Sequence, residues 1–462
     1  MPQGWLYFLM VFLFSTANFM VTMSLTIYLH SIFGMEDTAA GNNYAIWGLV
    51  IFVLSFPAGL IIDTLPMRFS LMFGSFMLAF STVLFALSPF DWLTLGVLFA
   101  PMALGHAFLG QLFPIVLDRY FEKGDPNSTV AFAIGYAVMN LGAVIAGWAT
   151  DACLMLGDYN GYHLLFTISA QLALILFYLS TCYRYPEPRR VADPAQSIKL
   201  GPGLSRTRVW WLEFKTGIKS SWATMRGVVK QKLFWQLTIF NAFLTPVRSM
   251  FIILNSFFPN YMHRVYPNYP YGTVLSINPI LIIFLTPLMS KLTSRYLNSY
   301  GWIALGSLIS SLSTIWLWLW PSESPIPLIA FVISFTVGES ISSARVGQYT
   351  VQNSPEDQKG VYGALIVLPA SIGHALAGMF SGNMLSEFCP DYVAYDEEEK
   401  VAYRAYCAQA WFYFWLFSFS SFVLLMVSSR YLNIEQPAKP ERPKHEKSVV
   451  FRVLSTLNLT RG

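Results

Sequence analysis

Charged residues are scarce in this chain. Asp, Glu, Lys and Arg together make up 12% of its 462 residues, whereas apolar residues make up 55%. A soluble globular domain carries about 25% charged residues, so this composition excludes an ordinary water-exposed domain. The apolar residues are gathered in long runs with short polar segments between them, which is typical of a protein that crosses a membrane several times.

The motifs of common enzymes are also missing. The sequence has no Gly-x-Ser-x-Gly elbow, no glycine-rich phosphate loop and no His or Cys cluster spaced for a metal ion. A membrane acyltransferase with His106 or His374 as its base is the enzyme alternative, and no motif supports it. We therefore predict no enzymatic activity, no cofactor and no metal.

Twelve apolar stretches are long enough to cross a bilayer as helices. A crossing helix needs about 20 residues, because its backbone N–H and C=O groups must find partners within the span. The predicted spans, numbered one to twelve, are residues 6–29, 44–62, 69–87, 92–117, 130–150, 163–183, 234–258, 273–289, 302–320, 325–346, 361–384 and 411–427. The sequence thus predicts an all-α membrane protein with twelve transmembrane helices in two six-helix bundles.

The positions of Lys and Arg predict the orientation. Residues 184–232 carry eleven basic and three acidic side chains, and basic flanks of spans stay in the cytoplasm. We predict an N-terminal bundle at 1–183, a basic cytoplasmic loop at 184–233, a C-terminal bundle at 234–430 and a cytoplasmic tail at 431–462. Both termini are then cytoplasmic, and the basic loop suits contact with anionic membrane lipids, not nucleic acid. Without an address signal, we expect the plasma membrane over an organelle.

Two of the four cysteines fall in one predicted loop. Cys389 and Cys407 lie between spans eleven and twelve, on the face opposite the basic loop. A disulfide and a pair of free thiols both fit the sequence, because separation along the chain does not give the geometry that a bridge requires.

A few polar side chains occur at mid-depth in the predicted spans, where each costs free energy in hydrocarbon. Arg248 and Glu339 are charged and too deep to reach water along the lipid face. The neutral ones are Asn18, His106, Asn140, Gln171 and His374. We expect these side chains to face protein or a water-filled cavity.

Gly59, Asp63 and Arg68 lie around the loop between spans two and three. Their spacing resembles the signature loop of the major facilitator superfamily, although Thr64 and Pro66 replace its usual basic residue and glycine. Gly59 permits close helix contact, Asp63 can accept from a helix N-terminus and Arg68 can pair with a carboxylate. Six spans, a basic loop and six more spans are also similar to that superfamily, so the resemblance covers nearly the whole chain.

Other segments resemble the branch of proton-coupled oligopeptide transporters. They are Gly135, Asn140, Leu141, Gly142 and Gly147 in span five, Ser276, Ile277, Asn278, Pro279 and Pro287 in span eight, and Gly338, Glu339, Ser343, Arg345, Tyr349, Pro355, Gly360 and Tyr362 in and after span ten. The chain lacks that branch's Glu-x-x-Glu-Arg motif, because residues 15–20 are uncharged, and Phe113 stands where the branch has a lysine. Peptide transport by the familiar mechanism is therefore not expected.

The resemblance implies that spans one, four, seven and ten line a central cavity. We predict a secondary active transporter that moves a small anionic or zwitterionic solute by alternating access, as a proton-coupled symporter and a monomer. The predicted solute-binding residues are Arg248, His106, Asn18 and Asn140, and Glu339 is the predicted proton-coupling residue. The predicted gating residues are Gly59, Asp63, Arg68, Asp118, Arg119 and Arg345.

Several alternatives stay open at this stage. Arg248 and Glu339 can instead form a buried structural pair, and the neutral polar groups can satisfy hydrogen bonds between helices. The latter interpretation is favoured for Gln171 and His374. A gradient-independent uniporter or anion exchanger that uses Arg248, and a non-transporting sensor on the same fold, are the alternative functions.

Overall fold

The computed structural model describes residues 3–64, 67–121, 126–184, 226–292, 298–355, 368–391 and 396–434. Within these ranges the regular secondary structure is helical, with no strand. Most of the predicted basic loop and tail lies outside the described residues.

Spans one to six make up the first half of the molecule, residues 3–184. Their helices are Gln3–Thr22 and Leu25–Phe33 in span one, Asp37–Thr64 in span two, Met67–Leu87 in span three, Asp91–Val97, the π-helical segment Leu98–Met102 and Ala103–Asp118 in span four, Pro126–Leu154 in span five, and Asp158–Cys182 in span six.

Spans seven to twelve make up the second half, residues 226–434. Their helices are Lys232–Arg248, Met250–Ser256 and Phe258–Val265 in span seven, Tyr271–Leu292 in span eight, Ser299–Leu312 and Ile315–Leu319 in span nine, Ile326–Asn353 in span ten, Leu368–Phe388 in span eleven, and Glu397–Val427 with Ser429–Leu432 in span twelve.

Eleven of the twelve spans are long and apolar enough to cross a membrane among the described residues. Span eleven is a helix as well, but it is less apolar because it contains His374, Asn383 and several glycines and serines. The predicted fold class is confirmed: the chain is an all-α, multi-pass membrane protein. The cytoplasmic position of its termini stays a prediction.

The two halves meet along two pairs of helices. Span two packs against span eleven, and span five packs against span eight. Small residues allow this approach, since a Cβ added to Gly41 would lie 2.7 Å from the Cα of Gly382. Gly147 of span five and Gly272 of span eight bring the backbones of these two helices into contact in the same way.

Span seven is interrupted one residue beyond Arg248. Pro246 lies inside its first helix, and the N–H of Val247 donates to the hydroxyl of Ser421 in span twelve at 3.0 Å. A proline ring disturbs the hydrogen-bond ladder of a helix, and a side chain from a neighbour can take over a freed donor. The irregularity falls beside the mid-span arginine.

A disulfide joins Cys389 to Cys407. The acidic run from Asp396 to Glu399 begins the helix of span twelve, and Asp396 accepts from the N–H of Glu399 at 2.8 Å and caps the helix. We call the end of the molecule that carries the Cys389–Cys407 disulfide the disulfide side. The opposite end, where span one begins, is the termini side.

Candidate functional site

A cavity of about 360 Å³ lies between the two halves. Its lining comes from spans one and five in the first half and from spans seven to eleven in the second half. Span four contributes none of the described lining residues, which differs from the arrangement that the family resemblance implies.

Arg248 and Glu339 both line this cavity. Their charges are close enough to act on each other, yet the described residues include no direct hydrogen bond or ion pair between them. Arg248 keeps exposed surface although it stands in the middle of a span, because its side chain faces the cavity. The two charges therefore share one cavity, which has space for a third group.

The carboxylate of Glu339 is held by an amide from span eight. Asn278 donates from Nδ2 to Oε2 of Glu339 at 2.9 Å and to the hydroxyl of Thr336 at 3.0 Å. Asn278 precedes Pro279, and both line the cavity. Spans eight and ten are thus joined at the carboxylate, which leaves the other carboxylate oxygen to the cavity or to a proton.

His374 of span eleven also lines the cavity, where the charge of Arg248 acts on it. A role in helix packing was expected for this residue, because span eleven is not among the spans that the resemblance places around the cavity. Ser343 of span ten, named above only for the resemblance, lines the cavity too, and Asn255 of span seven is a polar lining residue that sequence reasoning missed. The available signal was an amide within the apolar run of predicted span seven.

Asn140 lines the cavity, as predicted, and its amide donates to the carbonyl of Tyr136 at 2.8 Å.

Asn18 and His106 lie side by side but outside the cavity lining. Nε2 of His106 is 2.6 Å from the side-chain amide of Asn18, and Nδ1 is 2.8 Å from the Met102 carbonyl, to which it donates. In a neutral ring, Nε2 then accepts a hydrogen bond from the amide nitrogen of Asn18. In an imidazolium, Nε2 donates to the amide oxygen of Asn18.

The wall contributed by the first half is mainly apolar. Phe19, Met23, Met139 and Ala143 line it, with Tyr136 and Asn140 as its polar members. The charged lining residues come from the second half. The second half also contributes apolar residues, among them Phe251 and Phe335. We call the side that carries both charges the charged wall, and the mainly apolar side from the first half the apolar wall.

An ion pair closes the disulfide side of the cavity. Arg264 of span seven donates to both carboxylate oxygens of Asp37 in span two, at 2.8 and 2.9 Å. The same guanidinium donates to the Cys389 carbonyl at 2.6 Å and to Nε2 of His30 at 3.2 Å. The arginine therefore ties span two to spans seven and eleven.

A second closure on the same side uses a helix N-terminus. The carboxylate of Asp151, near the end of span five, accepts from the backbone N–H groups of Gly272 and Thr273 and from the Thr273 hydroxyl. These donors begin span eight, where a carboxylate is favourable. Among the described residues, the hydrogen bonds and ion pairs that join the two halves all lie toward the disulfide side.

The predicted gating residues lie on the termini side. A Cβ added to Gly59 would be 3.0 Å from Oε1 of Gln111, so spans two and four are close there. Arg68 donates to the carbonyl of Thr181 at 3.0 Å and caps the end of span six.

The structure describes the other four predicted gating residues to different extents. Asp63 is in the helix of span two, and its side chain lies outside the described part of the chain. Asp118 and Arg119 stand at the end of span four. The guanidinium of Arg345 lies 6.0 Å from the ring centre of Trp302.

The sequence and fold are similar to those of known transporters. The family model of the Major Facilitator Superfamily matches residues 7–378. The POT family transporter PepTSo has 15% identity and a TM-score of 0.71 over 94% of this chain and 99% of that chain. A POT family transporter in complex with 5-aminolevulinic acid has 15% identity and a TM-score of 0.69, over 93% and 96%.

A peptide transporter POT in complex with sulfate has 18% identity and a TM-score of 0.66, over 93% of this chain and 95% of that chain. Identities this low show a shared fold. No curated protein sequence matches this chain.

Proposed function

Because this chain belongs to the Major Facilitator Superfamily of membrane transporters, we propose that it carries a small anionic solute together with a proton, by alternating access. Arg248 binds the anionic group of the solute, and Glu339 carries the proton. The observation that supports this most strongly is that both charges line one cavity, with no direct ion pair between them among the described contacts.

Charge balance couples the solute to the proton. The empty cavity is neutral when Arg248 is positive and Glu339 is ionised. A bound anion gives the cavity one net negative charge, unless a proton neutralises Glu339. A net charge buried away from water costs several kcal/mol. The two halves can therefore close around an empty cavity, or around an anion with a proton, but not around either one alone.

Alternating access requires the disulfide side to open. The Asp37–Arg264 pair and the cap of Asp151 on span eight must separate, and the cavity then exposes Arg248 and Glu339 to that side. We assign the disulfide side to the outside of the cell, because the basic loop marks the other side as cytoplasmic and because disulfides persist in oxidising compartments. The plasma membrane satisfies both conditions.

The remaining predicted residues take supporting roles in this proposal. Asn140 contributes an amide to the solute site, whereas Asn18 and His106 support it by fixing span one against span four. Gly59, Asp63, Arg68, Asp118, Arg119 and Arg345 form the closure of the termini side when that side shuts. The chain works as a monomer in contact with membrane lipids.

Uptake into reconstituted vesicles tests the proposal. A panel of small organic anions, nitrate, amino acids and short peptides is offered with and without an inward proton gradient. We expect the gradient to drive accumulation of an anion, and Glu339→Gln to abolish this while exchange at zero gradient survives. Glu387→Gln, an exposed carboxylate on the disulfide side, is the matched control.

Two other results would decide against the proposal. Transport that ignores the proton gradient and is unaffected by Glu339→Gln assigns the protein to uniporters or exchangers. Solute binding without transport under any gradient assigns it to sensors.

A further inference from the structure

The structure also restricts the class of solute. Resting on the function proposed above, we propose that the transported anion is a monocarboxylate that carries a large apolar group, of the size of a leucine or phenylalanine side chain. The charged wall of the cavity receives the carboxylate, and the apolar wall receives the rest of the molecule.

The first step is the exposed apolar surface inside the cavity. Phe19, Met23, Met139 and Ala143 line it from the first half, whereas both charged residues come from the second half. Phe251 of span seven belongs to the second half but adds to this apolar surface, because its ring meets that of Phe19 edge to face at 6.4 Å. Phe251 is 37% exposed although it lies mid-span and lines the cavity. Covering apolar surface that faces water with an apolar group lowers the free energy of the system.

The second step is the charge that the cavity accepts. Arg248 is the cation of the described lining, and Glu339 is neutral when it holds a proton. A monoanion with the proton leaves the closed cavity neutral, whereas a dicarboxylate leaves it negative. A zwitterionic amino acid with a protonated Glu339 leaves it positive. The charge balance therefore selects the monocarboxylate.

The third step is size. The cavity volume of about 360 Å³ is near the lower end of the range of about 300–1,000 Å³ for small-molecule sites. One compact acid with a branched or aromatic body fits such a space. A peptide of several residues does not.

Calorimetric titration of the purified protein tests this inference. The probes are 3-phenylpropanoate, 4-methylpentanoate, acetate, succinate and phenylalanine, each measured at pH 6 in two buffers of different ionisation enthalpy. Binding is the primary measurement, because apolar acids also cross bilayers unaided. We expect 3-phenylpropanoate and 4-methylpentanoate to bind at least about tenfold more tightly than acetate, since each buried methylene adds discrimination of that order. Succinate and phenylalanine should bind more weakly than 3-phenylpropanoate.

Two variants assign this preference to the apolar wall. Ala143→Leu fills the wall and should lower the ratio of 3-phenylpropanoate to acetate affinity by about tenfold. Phe19→Ala removes contact surface and should lower the same ratio, so the test does not depend on one variant folding. Phe284→Leu alters a side chain that is 70% exposed and outside the cavity lining, and it should leave the ratio unchanged.

The outcomes separate this inference from the proposed function. Equal affinity for acetate and 3-phenylpropanoate, no binding of any apolar acid, or a ratio unchanged by both wall variants overturns the inference. The two buffers report proton uptake. Tight binding of the apolar acids with one proton taken up supports both proposals, whereas the same binding without proton uptake supports the inference and contradicts proton coupling.

Discussion

Arg264 and Asp37, which are 227 residues apart, join the two halves through two parallel hydrogen bonds of 2.8 and 2.9 Å. Their side chains are only 6% and 9% exposed. Parallel guanidinium–carboxylate bonds are the strong form of an ion pair, and removing one partner of a buried pair costs about 3–5 kcal/mol. The pair therefore stabilises the conformation that is closed on the disulfide side.

Breaking this pair should open the disulfide side. In a background with Cys153→Ser and Cys182→Ser, a cysteine introduced at Asn255 reports access to the cavity. We expect Asp37→Asn to raise the rate at which a membrane-impermeant maleimide labels this cysteine from the disulfide side by at least about tenfold. The free energy lost when the ion pair is broken exceeds about 1.4 kcal/mol, which corresponds to a factor of ten in the equilibrium between closed and open states.

The charge-swapped variant with Asp37→Arg and Arg264→Asp should return the labelling rate toward that of the parent. Glu323→Gln is the matched control, because it breaks the Arg404–Glu323 pair on the same side but within the second half. If labelling rises equally in the control, the Asp37–Arg264 pair does not act as the gate.

Gly147 should be intolerant of a methyl group. A Cβ there would overlap the hydroxyl of Ser276 and the carbonyl of Gly272, both on span eight. We expect Gly147→Ala to prevent closure of the disulfide side, with faster maleimide labelling at Asn255 and loss of transport. Gly110→Ala, whose Cβ would meet nothing within 4 Å, should transport normally. Normal transport by Gly147→Ala would show that the two helices do not need this contact.

Arg248→Ala should weaken solute binding. A charged contact in an enclosed site is worth about 2 kcal/mol or more, which corresponds to a rise in Kd of about 30-fold. Arg248→Lys keeps the charge but loses the planar donors, so we expect an intermediate Kd. Titration of the purified variants with the preferred anion measures both. An unchanged Kd in Arg248→Ala would place the anionic group elsewhere.

The disulfide should stabilise the folded chain. Its cysteines are 18 residues apart, and closing a loop of about this length contributes about 3 kcal/mol. We expect the pair of changes Cys389→Ser and Cys407→Ser, or treatment with reductant, to lower the apparent Tm in detergent. Cys182→Ser, an exposed free cysteine, is the control. An identical Tm in the oxidised and reduced protein would contradict this.

Most of the fold follows from hydropathy. Among the described residues a helix stands at each of the twelve predicted positions, although residues 361–367 of predicted span eleven lie outside the described part of the chain. For the other eleven spans, length and apolar composition are sufficient to identify a crossing helix. Helix ends were less predictable. Span twelve begins at Glu397, well before the apolar run, since an acidic and aromatic first segment does not look like a span. The break after Thr22 in span one also carries no proline or glycine that would signal it.

Part of the site was visible in the sequence. Arg248 and Glu339 stood out because a charge inside an apolar run is costly, and both line the cavity. His374 was assigned to helix packing, since nothing local distinguishes a histidine that faces a cavity from one that faces a helix. The Asp37–Arg264 pair was missed because charges at span ends are normally solvated, and nothing in the sequence connects two residues so far apart.

The cavity volume has a further consequence for the energetics of each cycle. A space of about 360 Å³ corresponds to on the order of ten water molecules at about 30 Å³ each. If closure around an apolar acid expels much of this water, the protein binds and releases a small parcel of solvent with every turnover. Its conformational equilibrium should then respond to osmotic pressure from polymers too large to enter the cavity, because closure of the cavity releases water.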